Sequence, residues 1–149
     1  EVKHIPGHTS GHICIYIKKL NALFTGDTLF SLGCGRIFEG TYKEMYDSLN
    51  TLKQFPNNTK IYCGHEYTKK NSDFCLSIDK NNSNLIGKIE EINKNIKKRI
   101  PTIPSILSDE LSCNIFLRSN NLEIQKQLGI NSGDPIETFA KLRDLRDNF

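Results

Sequence analysis

Apolar side chains change their spacing part-way along this 149-residue chain, and that change limits the architectures open to it. In "HICIYIKK", Ile13, Ile15 and Ile17 alternate with Cys14, Tyr16 and Lys18, the period of two that a β-strand imposes by sending successive side chains to opposite faces. "EVKHIPG" before it and "LNALFTGD" after it are short and extended, and "TKIYCGHE" completes the strand-like set. One helix interrupts them. Thr41 and Glu44 in "TYKE" have the spacing of a capping box, and Met45, Leu49 and Leu52 supply an apolar stripe up to Phe55 and Pro56. Residues 28–40, "TLFSLGCGRIFEG", are punctuated by glycine and are expected to form a loop. Beyond about residue 67 the period lengthens. Leu85, Ile89, Ile92 and Ile96 recur at helical spacing until "IPTIP" ends the run, and a further helical stretch is expected around Leu122 to Leu128. The last helix is signed by Asp134 as N-cap, Pro135 at the first helical position and Glu137 at the third. The expectation is an α/β (α+β) chain in two regions, strands with one helix over 1–67 and helices over 68–149.

Composition narrows the function. Hydrophobic residues make up 37% and charged residues 25%, and no apolar run approaches the ~20 residues that a membrane-spanning helix needs. Nothing at the start resembles a signal peptide, so a soluble, cytoplasmic protein without a membrane partner is expected. The net charge of +3 is scattered along the chain, which argues against nucleic acid and suits a small anionic ligand. Five cysteines (Cys14, Cys34, Cys63, Cys75, Cys113) include no C-x-x-C pair and read as free thiols in a reducing compartment. Glu1 opens inside a strand-like pattern and the only methionine is Met45, so the chain is expected to be a piece of a longer protein.

The histidines carry the chemistry. "IPGHTSGH" sets His8 and His12 four apart, which on a helix would place both on one face, as in the H-E-x-x-H metal motif. Pro6, Gly7 and Gly11, with Thr9 and Ser10 free to bond to nearby backbone, favour a turn instead, where two rings need not converge. Asp27 and His65 each stand at the C-terminal end of a strand, where sites in layered α/β folds concentrate. Imidazole nitrogen and carboxylate oxygen bind Zn²⁺ or Fe²⁺ while leaving a position open for water. Singly, a loop histidine and a turn aspartate are the simpler readings; jointly they favour a metal.

"PGHTSGH", "LFTGDTLF", "GCGRIFEGT" and "IYCGHEYT", in that order and spacing, resemble the second half of the metallo-β-lactamase fold, and specifically the glyoxalase II (hydroxyacylglutathione hydrolase) family. "PTIPSIL" and "KLRDLRDNF" are similar to that family's helical C-terminal domain. The resemblance implies the C-terminal half of an αββα sandwich over 1–67, then a small all-helical glutathione-substrate-binding domain over 68–149. It implies that His8 binds a first metal ion and His65 a second, that Asp27 bridges both and is catalytic, and that His12 orients its neighbours by hydrogen bonds. Arg36, Phe38, Tyr67, Arg143 and Arg146 would meet the substrate, with Phe38 standing where some relatives carry tyrosine. His4 matches no motif and reads as structural.

The implied reaction is hydrolysis of a glutathione thioester, S-D-lactoylglutathione to D-lactate and glutathione, in methylglyoxal detoxification. Two divalent ions, zinc first with iron or manganese as alternatives, would lower the pKa of a shared water toward about 7. The family's H-x-H-x-D-H motif does not occur in these residues, which leaves at most two protein ligands per metal where a catalytic zinc normally has three. Activity is therefore expected only with an N-terminal half, in cis or as a second chain, and without that half apolar strand faces should be open to water. Two other readings remain: a truncated module without catalysis, and a persulfide dioxygenase with one iron, against which the helical tail and "GCGRIFEGT" count.

Overall fold

The period-two segments pair into a five-stranded mixed sheet in the computed structural model, which describes residues 1–149. β1 (Val2–His4), β2 (Ile13–Ile17) and β3 (Ala22–Gly26) run antiparallel in succession, β6 (Lys60–Cys63) lies parallel to β3, and β7 (Ser105–Ile106) ends the sheet antiparallel to β6. A parallel neighbour needs a crossover, and α1 (Tyr42–Leu52) lies on it. Its cap is the reciprocal pair that the sequence predicts: Glu44 N–H donates to Thr41 Oγ1 at 3.1 Å and Thr41 N–H donates to Glu44 Oε2 at 2.8 Å. Met45, Leu49 and Leu52 are buried. Within the expected loop, β4 (Leu29–Phe30) and β5 (Gly33–Cys34) form a small hairpin. Strands of two residues are too short to show a period, which is why the pattern reads as loop.

The sheet has one covered face and one bare face. Cys14, Tyr16, Leu23 and Ile61 point into the core. On the other side Val2 pairs with Ile15, Ile15 with Phe24 and Phe24 with Tyr62, so one apolar row crosses four strands. Ile13 and Ile17 flank it. Val2 is 61% exposed, Ile15 43% and Phe24 41%, and the Phe24 and Tyr62 rings stack at 5.1 Å. An open apolar face of this extent is the feature expected of half a sandwich.

The remaining helices are α2 (Thr68–Ile78), α3 (Ser83–Lys97), α4 (Leu107–Cys113), α5 (Leu122–Gln127) and α6 (Pro135–Asp147). Asn82 caps α3 and accepts from the N–H groups of Asn84 and Leu85; the helix buries Leu85 and Ile92 and leaves Ile96 exposed. Asp134 caps α6 by accepting from Ile136 N–H at 2.8 Å. The sequence does not mark α2, because its buried positions are Thr68, Asn71, Ser72 and Cys75 besides Phe74, so no apolar stripe is present to read. These five helices and their connecting turns fill residues 68–149, and β7 returns from among them to extend the sheet. One continuous apolar cluster runs from Ile5 to Leu142. At its centre Phe116 lies 6.0 Å from both Phe74 and Phe139, each ring worth about 1.5–3 kcal/mol of burial. No helix is long and apolar enough to cross a membrane.

Candidate functional site

The segment holding His8 and His12 is a turn between β1 and β2, and the two rings meet edge to face with centroids 5.7 Å apart. Their tasks differ. His8 Nδ1 donates to the Arg36 carbonyl at 2.8 Å, which turns Nε2 toward Asp27 Oδ2 at 3.5 Å. His65 Nε2 lies 3.6 Å from the same oxygen. His12 Nε2 instead accepts from the backbone N–H of Asp27 at 2.9 Å. His4 stands apart, donating to Ser10 O at 2.6 Å, while Ser10 donates through N–H and hydroxyl to Glu39 Oε2 at 2.8 and 2.9 Å. Asp27 and His65 come together because β3 and β6 are parallel neighbours that end side by side, with Gly64 N–H donating to Gly26 O at 2.8 Å.

Whether these groups suit a metal can be judged from the carboxylate. Asp27 Oδ1 is buried with no hydrogen-bond partner, and Oδ2 faces two imidazole nitrogens. A shielded carboxylate oxygen without a donor is costly unless a cation compensates it, and nitrogen and oxygen donors of this kind suit divalent ions. No group of three or more His, Cys, Asp or Glu side chains closes around one point in this chain. The arrangement is two His–Asp pairs sharing one carboxylate oxygen. Glycine makes the approach possible: a Cβ on Gly64 would lie 2.4 Å from Asp27 Oδ1, and one on Gly35 1.9 Å from Asp27 O. In the sequence these glycines read only as loop punctuation.

The centre opens into a cavity of about 440 Å³. His8, Asp27, Arg36, Phe38, His65, Tyr67, Arg143 and Arg146 all line it, as do Phe30, Cys34, Lys70 and Asn71, which the sequence reading did not single out. Tyr67 stacks on His65 at 5.3 Å and meets Phe30 edge-on, and Phe38 packs 4.9 Å from His8 with most of its ring in solvent. The cations divide. Arg143 is 4% exposed; its guanidinium donates to Cys34 O at 2.7 Å and to Asp147 Oδ1 at 2.8 Å and lies over the Phe116 ring, so it braces the wall, with a buried Nε that has no partner. Arg146 is half-buried, donates to Asn71 Oδ1 at 3.1 Å and keeps a buried, unpartnered Nε. Burial and the neighbouring Arg143 lower its pKa. Arg36 is exposed and pairs with Asp147 at 3.3 Å. Lys70 lines the cavity without any ion pair, a free cation on α2 that no apolar pattern announced. Burial pushes the Cys34 thiol up, so it stands as a neutral thiol in the wall.

Residues 66–149 match the family model for the hydroxyacylglutathione hydrolase C-terminus, and residues 1–65 match that of the metallo-beta-lactamase superfamily. The chain belongs to the hydroxyacylglutathione hydrolase family. The hydroxyacylglutathione hydrolase of Pelagibacter ubique (strain HTCC1062) is 55% identical over 149 residues, covering 100% of this chain and 56% of that protein. That of Shewanella halifaxensis (strain HAW-EB4) is 47% identical over 152 residues, covering 99% and 58%. The chain therefore spans less than two thirds of the length of the curated relatives it matches. Among solved structures, ETHE1 from Myxococcus xanthus superposes with a TM-score of 0.55 at 23% identity over 98% of this chain and 52% of that one. A metallo-beta-lactamase from Staphylococcus aureus subsp. aureus COL gives 0.53 at 22% over 98% and 38%. At such identities the likeness shows the fold, the metallo-β-lactamase type anticipated for this hydroxyacylglutathione hydrolase family member.

Proposed function

We propose that the complete protein hydrolyses glutathione thioesters, S-D-lactoylglutathione foremost, and that this chain supplies one half of its catalytic centre. A single observation carries the reading: one oxygen of Asp27 lies 3.5 Å from His8 Nε2 and 3.6 Å from His65 Nε2 on the floor of a cation-lined cavity. His8, Asp27 and His65 would hold two divalent ions, zinc or else iron or manganese, and such ions supply Lewis acidity at the thioester carbonyl and a water of lowered pKa. The chain's own residues do the rest. Arg36 O fixes the His8 tautomer and ring plane, and His12 holds the backbone that carries Asp27. Glutathione brings two carboxylates, and Arg36, Lys70 and Arg146 offer cationic partners along one wall, with Arg143 holding that wall in place. Tyr67, Phe30 and Phe38 form the apolar flank against which the acyl part of the thioester can lie. A thiolate leaves readily, so these residues need only place the carbonyl.

The remaining metal ligands are assigned to an N-terminal half, in cis or as a second chain, packed on the bare row of Val2, Ile15, Phe24 and Tyr62. Five free cysteines, four of them buried, suit a cytoplasmic setting. The test is hydrolysis of S-D-lactoylglutathione by the full-length product before and after chelation. Loss of turnover on chelation, restored by zinc and abolished by Asp27→Asn, is the expected result. Equal rates with and without metal reject the reading.

A further inference from the structure

Side chains of the helical region hold hairpin β4–β5 one backbone group at a time. Asn71 Nδ2 donates to Ser31 O at 3.0 Å, Cys75 Sγ to Leu32 O at 3.2 Å, Asn114 Nδ2 to Gly33 O at 3.1 Å and Arg143 to Cys34 O at 2.7 Å. The Leu32 N–H completes the set by donating to Glu110 Oε2 at 2.9 Å. The anchors come from α2, from α4 and its C-cap, and from α6. Leu32 itself has φ +55°, a left-handed conformation that costs a non-glycine residue about 1 kcal/mol or more. Strain of this kind persists only where the surroundings over-determine it, and here both the N–H and the carbonyl of Leu32 are taken.

Glu110 is the member that stability alone does not explain. It is 1% exposed; Oε2 accepts from Leu32 N–H and from Asn114 Nδ2 at 2.9 Å, while Oε1 has no partner. Burial pushes its pKa up to about 7. An apolar side chain would fill the same space without the desolvation cost. The hairpin, however, leads straight to His8: Gly35 N–H donates to Thr28 O at 3.2 Å, and the next carbonyl, that of Arg36, accepts a hydrogen bond from His8 Nδ1 at 2.8 Å.

We propose that Glu110 is a positioning residue: together with Asn114 it fixes hairpin β4–β5 so that the Arg36 carbonyl turns the His8 ring toward Asp27. The consequence for metal affinity rests on the reading of His8 as a ligand; the consequence for the His8 ring does not. Partners that orient a ligating histidine from behind are typically worth about 10–100-fold in metal affinity.

The test uses the ¹⁵N-labelled full-length protein stripped of metal, in the variants Glu110→Leu, which keeps bulk and removes the acceptor, and Glu110→Gln, which keeps an oxygen. Glu110→Leu is expected to speed amide exchange at Leu32 at least ~10-fold and to abolish the His8 Nδ1–H signal, while Glu110→Gln retains both. Titrated with zinc alone, Glu110→Leu should bind about 10–100-fold more weakly than the parent. If Glu110→Leu does not fold, Asn114→Ala, which withdraws the donor to Gly33 O and to Glu110, is read in the same way. A folded variant with faster Leu32 exchange but an intact His8 signal overturns the proposal, since Glu110 would then support the hairpin alone. So does a Gln variant that behaves like Leu. A full-length parent that binds no zinc counts against the metal centre, and the His8 signal still decides the positioning role.

Discussion

The ring of His12 accepts a hydrogen bond from the backbone N–H of Asp27 at 2.9 Å, so the second histidine of the turn holds the main chain from which the shared carboxylate projects. His12→Ala leaves that N–H without a partner. The expected loss is about 1–3 kcal/mol in urea unfolding together with a fall of about 10–100-fold in zinc affinity by calorimetric titration. Unchanged affinity would remove the orienting role.

Gly64 and Gly87 give opposite outcomes for one substitution. A Cβ on Gly64 would press on Asp27 Oδ1 at 2.4 Å, whereas one on Gly87, in the middle of α3, meets nothing within 4 Å. Gly64→Ala should cost zinc binding far more than it costs thermal stability. Gly87→Ala should raise stability by about 0.5–1 kcal/mol and leave zinc binding alone. Calorimetry and thermal melts on the two variants check the contrast.

The cavity's cations separate by how far they are committed to the protein. Arg143→Met strands the buried Cys34 carbonyl and leaves Asp147 only Arg36 as a partner, and should destabilise the chain by about 2–4 kcal/mol. Lys70→Ala touches no partner, so stability should move by less than about 0.5 kcal/mol. In the full-length enzyme it should raise KM for the glutathione thioester several-fold with little change in kcat. A Lys70 variant with unaltered KM would take this residue out of the substrate wall.

Glu110 makes stability depend on pH with a sign opposite to that of an ion-paired carboxylate. Burial raises its pKa from 4.5 to about 7, so between those values the folded state keeps a proton that the unfolded state has released. Stability from this group is full below about 4.5, falls as pH rises through the interval, and is flat above about 7, a total on the order of 3 kcal/mol. Glu39 and Glu66 act the other way: hydrogen bonds from Ser10 and from Thr102 lower their pKa values, so their contributions are lost only on acidification. Urea unfolding from pH 5 to 8 should show the Glu110 slope in the parent chain and a flatter profile in Glu110→Gln.

The bare sheet face should be sticky. Ile15→Ser combined with Phe24→Ser breaks the apolar row where β1, β2, β3 and β6 meet. The double variant is expected to bind a hydrophobic fluorescent dye several-fold less than the parent and to sediment with less self-association. Equal dye binding would place the sticky surface elsewhere.

Much of the scaffold was legible because local rules suffice for it. The alternation of residues 13–18, the capping box at Thr41, the cap at Asp134 and the turn around His8 depend on groups within about four positions of each other. The open face followed from motifs matching only half of a sandwich. Other features have no local signal. The buried face of α2 mixes Thr68, Asn71 and Ser72 with Phe74 and Cys75, and β7 is two residues long, so periodicity finds neither. Arg143 and Arg146 share one helix face by spacing, yet burial commits the first to Cys34 and Asp147 and leaves the second partly free. The sequence by itself determined which residues have the right chemistry and which segments become strands and helices. Only the tertiary structure decided which of them meet, because His8 and Arg36 are 28 positions apart, Leu32 and Glu110 78, and Cys34 and Arg143 109. Contacts over such separations are set by closing the chain around a common core, and no local spacing records that.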